Sequence, residues 1–277
     1  MSSRPAGGLA GAGPLWLVGA GNMGGAMLRG WLAAGLDPNA VTVIDPAAPS
    51  VPDGVRLLPS PPPDGEEPAI LVLAVKPQLL DAVAPALAAL LAPETLILSI
   101  LAGVEIASVR ARLGKPKGII RAMPNTPASI RKGVTALYPS DANKTQCDRA
   151  EALMAALGRV EWLDREDLFD AVTALSGSGP AFVFRFADAL AAAGAAAGLD
   201  PAQAERLARA TLAGAAALLD ASEEDAATLA DRVASPGGTT RAGLDVLDDG
   251  EALRDLLTRT LEAAKKRGAE LASAARG

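Results

Sequence analysis

The sequence predicts an α/β fold, in which an amino-terminal, doubly wound and mostly parallel sheet is followed by an all-α carboxy-terminal domain. Short apolar runs alternate with helix-like segments from residue 15 to residue 163, which is typical of βαβ units. Strand-like runs cease near Asp164, and apolar residues then recur at helical spacing. The 277 residues suit about two domains. We therefore expect a flexible tail over residues 1–14, a first domain over 15–164 and a second over 165–277.

The first predicted strand, Leu15 to Val18, runs directly into a G-x-G-x-x-G motif. In a Rossmann-type site the first glycine permits a tight turn, the second lets the backbone approach a pyrophosphate, and the third lets the next helix press against the strand. That helix, about residues 22–34, would point its N-terminal amides at the phosphates. A second apolar strand over 41–44 ends at an aspartate that suits an adenosine ribose. The predicted contacts with NAD or NADP are Gly19, Ala20, Gly21, Asn22, Met23, Gly24 and Asp45.

Further strands and helices follow along the first domain. Prolines break the crossover over residues 46–68 and leave a short strand near 55–58. Strands are then expected at 69–75, 95–101, 118–121, 134–138 and 160–163, with helices at 78–91, 104–113 and 144–157. Ligands of such sheets bind beyond the carboxyl ends of the strands. The residues predicted at those ends to complete the cofactor site are Ala74, Val75, Lys76, Pro77 and Asn125.

The second domain is predicted to consist of helices at about 178–198, 201–220, 225–233, 239–247 and 251–272. The run from Ala189 to Gly198 is almost entirely alanine and glycine. Because such small side chains let helices approach closely, we expect a helix–helix contact there, within one subunit or between two.

Composition excludes several classes of site and partner. The net charge is 26 − 32 = −6 with no long basic run, which argues against nucleic acid or an anionic membrane surface as a partner. No apolar run is long enough to span a membrane, and the single cysteine fits a reducing compartment, so a cytoplasmic protein is expected. The absence of histidine excludes Ser-His-Asp and Cys-His sites and His-built metal centres, and no metal is expected. A hydride-transfer enzyme without histidine favours C=N over C=O substrates, because an iminium arrives already protonated.

Three further segments are unusual for structure alone, although each by itself would suit a cap or a turn. They are Met123–Pro127, Ser176–Ala181 and Ser235–Thr240, and the backbone N–H groups of the last form a ready anion site. Together with Gly19–Gly24 and Val75–Gln78, in this order and at this spacing, they resemble the Δ1-pyrroline-5-carboxylate reductase family. The block from Ala234 to Asp248 resembles that family's most distinctive segment, and the resemblance covers nearly the whole chain.

The resemblance implies reduction of the cyclic imine 1-pyrroline-5-carboxylate to proline with NADH or NADPH, the last step of proline synthesis. It also implies that the helical domain interleaves with that of a second subunit. Dimers of this kind often assemble into decamers and complete the active site across the subunit boundary.

The resemblance also assigns roles to particular residues. The loop over 235–240 would bind the substrate carboxylate, and Thr240 would face the ring nitrogen. Glu223 corresponds to an acidic position that would hold a proton or order a water for the amine, or else would only cap a helix. Lys76 is expected to act through its backbone rather than as a general acid. The implied substrate contacts are Ser235, Gly237, Gly238, Thr239 and Thr240, with Ser176, Ser178 and Gly179 lining the cleft.

The choice of cofactor and the activity each leave alternatives open. Residues 45–50 supply a carboxylate and no cation, which would repel the 2′-phosphate of NADPH, whereas the family generally accepts NADPH. Arg56 is the nearest cation, so NADH is expected to serve at least as well. The alternative activities are another imine reductase, a β-hydroxyacid dehydrogenase and a non-catalytic NAD(P)-binding protein. The helix over 178–198 lacks the lysine expected of a hydroxyacid dehydrogenase, and a nucleotide sensor would not need the loop over 235–240.

Overall fold

A computed structural model describes residues 9, 13–48, 50–62 and 65–274 of the chain. The chain forms two compact units. The first runs to Gly177 and also includes the chain from Ala264 onward, and the second is Ser178–Ala263. This division falls later than the predicted boundary at 164, because Phe169 is buried in the first unit. Most of the predicted tail lies outside the described residues, but Leu9 lies inside them and is buried in the core of the sheet.

Eight strands form one sheet in the described part of the first unit. Their bounds are β1 Leu15–Val18, β2 Val41–Ile44, β3 Arg56–Leu58, β4 Ile70–Leu73, β5 Leu96–Ser99, β6 Ile119–Pro124, β7 Gly133–Ser140 and β8 Gly158–Trp162. The order across the sheet is β3-β2-β1-β4-β5-β6-β7-β8, and neighbours are parallel except for β6 and β7. The predicted mostly parallel sheet is confirmed. The antiparallel pair arises because β6 and β7 are joined by a short 3₁₀ turn, Thr126–Ile130, which is too short for a parallel crossover.

Helices cover both faces of this sheet, as the doubly wound prediction requires. Their bounds are α1 Asn22–Ala33, α2 Leu80–Ala88, α3 Ile106–Leu113, α4 Lys144–Ala155 and the short α5 Phe169–Val172. Leu15 and Leu17 of β1 pack in one buried cluster with α1 and α4, while Trp16 and Val18 pack in the other with α2 and α3. On the first face, the buried indole of Trp31 in α1 donates its N–H to the carbonyl of Leu153 in α4 at 2.8 Å.

Two local details of the first unit differ from the predictions. The predicted helix over 78–91 begins as a 3₁₀ turn, Pro77–Leu79, and α2 ends already at Ala88. After α5 the chain forms a π-helical segment, Thr173–Gly177, which no sequence pattern predicted. The other predicted helices and strands are present with somewhat different ends.

The second unit is helical, as predicted. Its helices are α6 Gly179–Ala196, α7 Pro201–Ala221, α8 Ala226–Arg232, α9 Thr239–Asp248 and α10 Ala252–Ala274, the end of which belongs to the first unit. A Cβ on Gly194 of α6 would meet the Cβ of Ala204 of α7 at 3.4 Å, so the predicted close contact of small residues lies within this unit. No residue of α6 is buried in the described chain, although Val183, Phe184 and Phe186 are large and apolar. Among the residues that the structure describes, no helix has the length and apolar character needed to cross a bilayer.

Candidate active site

The turn between β1 and α1 contains two glycines that the fold itself requires. Gly19 has a φ of +96°, and a Cβ there would lie 2.7 Å from the carbonyl oxygen of Ala74. A Cβ on Gly24 would overlap the carbonyl oxygen of Gly19. Only glycine avoids both the strained backbone and the clashes. These two residues therefore make the tight turn and the close helix packing that the sequence predicted.

Gly21 differs, because neither its conformation nor its protein neighbours require glycine. Its φ is −63°, and apart from its own chain neighbours no described protein atom lies within 4 Å of the place where a Cβ would stand. It is the N-cap of α1 and carries no side-chain cap, so the first amides of the helix have no intrahelical acceptor. The first amide to bond back is that of Gly25, which donates to the Gly21 carbonyl at 2.8 Å. Open space beside unsatisfied helix amides is what a dinucleotide pyrophosphate needs.

Asp45 follows β2 directly and is fixed beside this turn. Its two carboxylate oxygens accept hydrogen bonds from the amides of Ala20, at 2.8 Å, and Ala47, at 2.9 Å. The bond to Ala20 joins the end of β2 to the glycine turn across 25 residues of sequence. Each carboxylate oxygen retains a second lone pair, so the group can accept two further donors.

The segment from Ala74 to Pro77 leaves β4 against the same turn. The amide of Ala74 donates to the carbonyl of Val18 at 2.8 Å. Backbone atoms of Ala74 and Val75 lie 2.7–2.9 Å from the Cβ position of Gly19. Lys76 is the N-cap of the following 3₁₀ turn, and its carbonyl accepts the amide of Leu79 at 2.9 Å. The structure thus brings the glycine turn, Asp45 and this segment together at the carboxyl edge of the sheet.

Asn125 and Ser176 join neighbouring segments of the first unit. The buried Asn125 side chain donates from Nδ2 to the carbonyl of Ser176 at 3.0 Å, and its Oδ1 accepts the amide of Val134 at 2.9 Å. The hydroxyl of Ser176 donates to the carbonyl of Val172 at 3.0 Å. These bonds hold the loop after β6 against β7 and the π-helical segment. One Nδ2 hydrogen and one lone pair of Oδ1 remain for a further contact.

In the second unit, the loop over 235–240 is a tight turn that starts α9. The carbonyl of Ser235 accepts the amide of Gly238 at 2.9 Å, and Gly237 between them has a φ of +68°. A Cβ on Gly238, the N-cap of α9, would lie 2.5 Å from the hydroxyl oxygen of Ser235, so that hydroxyl sits directly against the start of the helix. Thr239 and Thr240 are the first two helical residues, exposed to solvent, and their amides have no intrahelical acceptor. The loop therefore presents amide and hydroxyl donors to one small region.

Charged groups of α8 and α9 are already engaged with each other or with the backbone. Arg241 donates to the carboxylate of Asp231 at 2.5 Å, and this ion pair raises the pKa of the guanidinium. Asp225 caps α8 by accepting the amide of Thr228 at 2.7 Å, which lowers the pKa of its carboxyl below the ordinary value. Glu223 is exposed in the linker between α7 and α8, and Ser178 and Gly179 lie at the start of α6. An anion bound at the start of α9 would rely mainly on neutral donors and the helix dipole.

Sequence reasoning missed a buried ion pair that supports the first unit. Arg121 lies in β6, 6% exposed, and its guanidinium donates to the carboxylate of Glu166 at 3.0 Å while lying 4.3 Å from the centre of the Phe169 ring. The same Glu166 oxygen accepts the amide of Ile106, the first residue of α3, at 2.8 Å. The available signal was an arginine inside an otherwise apolar strand, which indicates a buried cation but does not name its partner.

Two other features of the described residues bear on cofactor and metal binding. A cavity of about 260 Å³ adjoins Arg121 and Glu166. Its remaining charged walls are the carboxylates of Glu105, Asp167 and Asp170, so it does not suit an anionic cofactor. Within the described ranges, no three metal-ligating side chains come together in a group.

Comparison with known proteins gives family matches for both the amino-terminal and the carboxy-terminal part of the chain. A family model described as pyrroline-5-carboxylate reductase dimerisation matches residues 166–271, and one described as NADP oxidoreductase, coenzyme F420-dependent, matches residues 15–103. The pyrroline-5-carboxylate reductase of Pseudomonas aeruginosa is 40% identical over 92% of this chain and 95% of its own length.

Two solved structures extend the comparison. The pyrroline-5-carboxylate reductase of Coxiella burnetii is 34% identical with a TM-score of 0.85, and the match covers 94% of this chain and 98% of that one. The Plasmodium falciparum pyrroline carboxylate reductase, solved with NADP bound, is 25% identical with a TM-score of 0.75, covering 93% and 97% of the two chains.

Proposed function

The chain belongs to the pyrroline-5-carboxylate reductase family, and from that premise we propose how its own residues carry out the reaction. The protein is an NAD(P)-dependent oxidoreductase that reduces 1-pyrroline-5-carboxylate to proline. One observation carries the assignment of the cofactor site: Gly21, in the middle of the glycine turn, faces open space beside the unsatisfied amides of α1.

The glycine turn fits a dinucleotide, because a Cβ on Gly21 would fill the space that the turn leaves. In the proposal the amides of Asn22, Met23 and Gly24 bind the pyrophosphate, while Asp45 accepts hydroxyls of the adenosine ribose. The backbone of the segment over 74–77 and of Asn125 lies along the nicotinamide half. When bound, the reduced nicotinamide supplies the hydride that the imine carbon accepts.

The loop over 235–240 is proposed to bind the substrate carboxylate. The amides of Thr239 and Thr240 and the hydroxyl of Ser235 all donate, and the turn formed by Gly237 and Gly238 holds them in place. Because Arg241 is committed to Asp231, these neutral donors set the orientation of the acid more strictly than a mobile cation would. Ser176, Ser178 and Gly179 are proposed to contact the rest of the ring.

Thr240 is proposed to handle the proton at the ring nitrogen. As the carbon accepts hydride, the C=N π bond breaks and its electron pair goes to nitrogen. An iminium then needs no further proton, whereas a neutral imine takes one. The hydroxyl of Thr240 donates to the nitrogen of a neutral imine, and it accepts the N–H of an iminium. In the neutral case, Glu223 supplies the proton, either directly or through an ordered water. The absence of histidine from the chain agrees with a mechanism that uses a hydroxyl and a carboxylate.

The second unit is proposed to form an interleaved homodimer, with a decamer as the larger assembly. The chain carries a dimerisation domain, and the large apolar residues of α6 are exposed in the single chain. Phe184, for example, is 67% exposed, and covering such side chains would be favourable. The cytoplasmic location predicted from the sequence remains part of this proposal.

The variant Thr240→Ala tests this mechanism. We expect kcat for pyrroline-5-carboxylate to fall roughly 10- to 100-fold with little change in cofactor affinity, and Thr240→Ser to recover most of the loss. Thr145→Ala is a matched control, since Thr145 is also an exposed second residue of a helix, α4, and should leave kcat unchanged. An unchanged kcat in Thr240→Ala would contradict the proposed role. Running the same assay with hydroxyacids in reverse separates this activity from that of a hydroxyacid dehydrogenase.

A further inference from the structure

The carboxyl end of β2 determines which nicotinamide cofactor the site accepts. We propose that Asp45 makes this chain select NADH over NADPH, although the family model matched over residues 15–103 carries NADP in its description. The inference rests on the proposed function, because it assumes that the glycine turn holds a dinucleotide. It goes further in naming the adenosine ribose as the group that is discriminated and Asp45 as the residue that discriminates.

The Asp45 carboxylate is held in place and cannot swing away from a ligand without loss. Backbone amides on both sides, those of Ala20 and Ala47, donate to its two oxygens at 2.8 and 2.9 Å. The amide of Asp45 itself donates to the carbonyl of Leu58 at 3.0 Å. A carboxylate bonded in this way offers only lone pairs to a ligand. It therefore presents a fixed negative charge beside the glycine turn.

The nearest cation along the chain does not offset that charge. Arg56 is the first residue of β3 and is paired in register with Thr42, whereas Leu58 is the residue aligned with Ile44 at the carboxyl edge. Arg56 thus lies two residues, or about 7 Å of strand, back from that edge. Its guanidinium also binds the carboxylate of Glu66 at 2.6 Å. Residues 45–55 contain no lysine or arginine.

The two cofactors make opposite demands on this position. The 2′- and 3′-hydroxyls of the NADH ribose are donors and match the remaining lone pairs of the Asp45 carboxylate. The 2′-phosphate of NADPH has only acceptor oxygens when ionised and brings negative charge toward a fixed carboxylate. We expect NADH to bind roughly 10-fold or more tightly than NADPH, since like charges in close contact disfavour the wrong ligand. Salt screens this repulsion, so the ratio should shrink as ionic strength rises.

The test is equilibrium binding to the full-length protein without substrate. NADH and NADPH are titrated separately, with nicotinamide fluorescence as the readout, at low and at high salt. Asp45→Asn removes the negative charge. We expect this variant to bind NADH more weakly and NADPH more tightly, and to change the ratio of the two Kd values roughly 10-fold or more. Asp45→Ser provides a second variant, and thermal unfolding of each confirms that it is folded.

Asp37→Asn is the matched control. The Asp37 carboxylate accepts the amide of Asn39 two residues on, as Asp45 accepts that of Ala47, but Asp37 precedes β2 and lies at its opposite end. The control should leave both Kd values unchanged. Equal or tighter binding of NADPH by the unaltered protein overturns the inference. The inference is also overturned if Arg29→Gln loses NADPH binding but keeps NADH binding, because the exposed Arg29 of α1 would then be the cation that binds the 2′-phosphate.

Different results would refute the proposed function and the inference about Asp45. Turnover of pyrroline-5-carboxylate with a preference for NADPH would leave the proposed function standing and refute the inference about Asp45. If neither cofactor binds, both fall.

Discussion

Glu166 joins three elements of the first unit, and its replacement by alanine should destabilise the protein more than most substitutions of a partly exposed residue. The side chain neutralises Arg121 of β6, accepts the first amide of α3 and stands just before α5. In Glu166→Ala the Arg121 guanidinium, only 7% exposed, keeps its contact with Phe169 but loses its carboxylate. The Ile106 amide loses its acceptor at the same time.

The expected loss of stability in Glu166→Ala depends on how deeply Arg121 and Glu166 are buried. Removing one partner of a fully buried ion pair costs about 3–5 kcal/mol, because the remaining charge is left without compensation. The Glu166 side chain is 25% exposed, so water can reach part of the vacated space, and we reduce this to about 2–3 kcal/mol. For a domain of this size the melting temperature should fall by roughly 4–12 °C.

Replacement of Arg121, the other partner of the ion pair, should destabilise the protein less. In Arg121→Met the thioether side chain fills much of the space beside Phe169, and Glu166 keeps the Ile106 amide and its contact with solvent. We expect a loss of about 1 kcal/mol. The double variant should be more stable than Glu166→Ala alone, since it removes the unpaired cation that the single variant leaves behind.

The assay is thermal unfolding of all three variants at one fixed protein concentration, because self-association makes the melting temperature depend on concentration. Asp148→Asn is the control, since Asp148 pairs with Lys144 on the exposed surface of α4 and should not change the melting temperature measurably. Two outcomes would contradict this explanation: a double variant less stable than Glu166→Ala, or a Glu166→Ala protein with the same melting temperature as the unaltered protein. Either would show that Glu166 does not stabilise the fold by compensating the buried charge of Arg121.

Two further predictions concern the glycine turn and the cap of α8. Gly21→Ala should lower the melting temperature only slightly, because alanine is a poorer N-cap than glycine, while weakening cofactor binding at least about 10-fold. Gly24→Ala should lower stability much more through its clash with the Gly19 carbonyl, and equal effects of both on stability would contradict the distinction. The carboxyl of Asp225 should titrate below the ordinary aspartate pKa, because the Thr228 amide bonds its charged form, so its stabilisation is complete above the ordinary pKa and is lost as the pH falls through the lowered one. Carboxyl NMR of the protein measures that pKa, and a normal or raised value would refute the cap.

The parts of the fold that were predictable from the sequence are those set by neighbouring residues. The four-residue apolar strands β1, β2 and β4 are buried on both faces, and a run of apolar residues records that directly. The cap of α7 by Asp200, which accepts the amide of Gln203, is equally local. The family resemblance added the function, which no strand or helix pattern contains.

What the sequence did not reveal depends on contacts between distant residues. Arg121 and Glu166 are 45 residues apart, and nothing near either residue indicates the other. Asn125 illustrates the same limit for the site. An asparagine between two prolines at a strand end predicted a ligand contact, and nothing in the sequence indicated that its side chain also bonds to Ser176 and Val134. A polar residue in a loop has the same local signature whether it holds a ligand or holds the loop.

The glycine turn shows how a structure distinguishes a residue that contacts a ligand from one that only maintains the fold. Gly19 and Gly24 satisfy the motif for reasons internal to the protein, namely a positive φ and a clash with a carbonyl oxygen, so their presence would be expected even if no dinucleotide bound. Gly21 has an ordinary φ, and apart from its two chain neighbours no described protein atom lies within 4 Å of a Cβ, so neither backbone strain nor a clash requires glycine there. In the proposed function, a dinucleotide that approaches the backbone at the start of α1 supplies the reason for glycine at this position. Of the three motif glycines, the one that neither strain nor a clash requires is therefore the most informative about the proposed cofactor site.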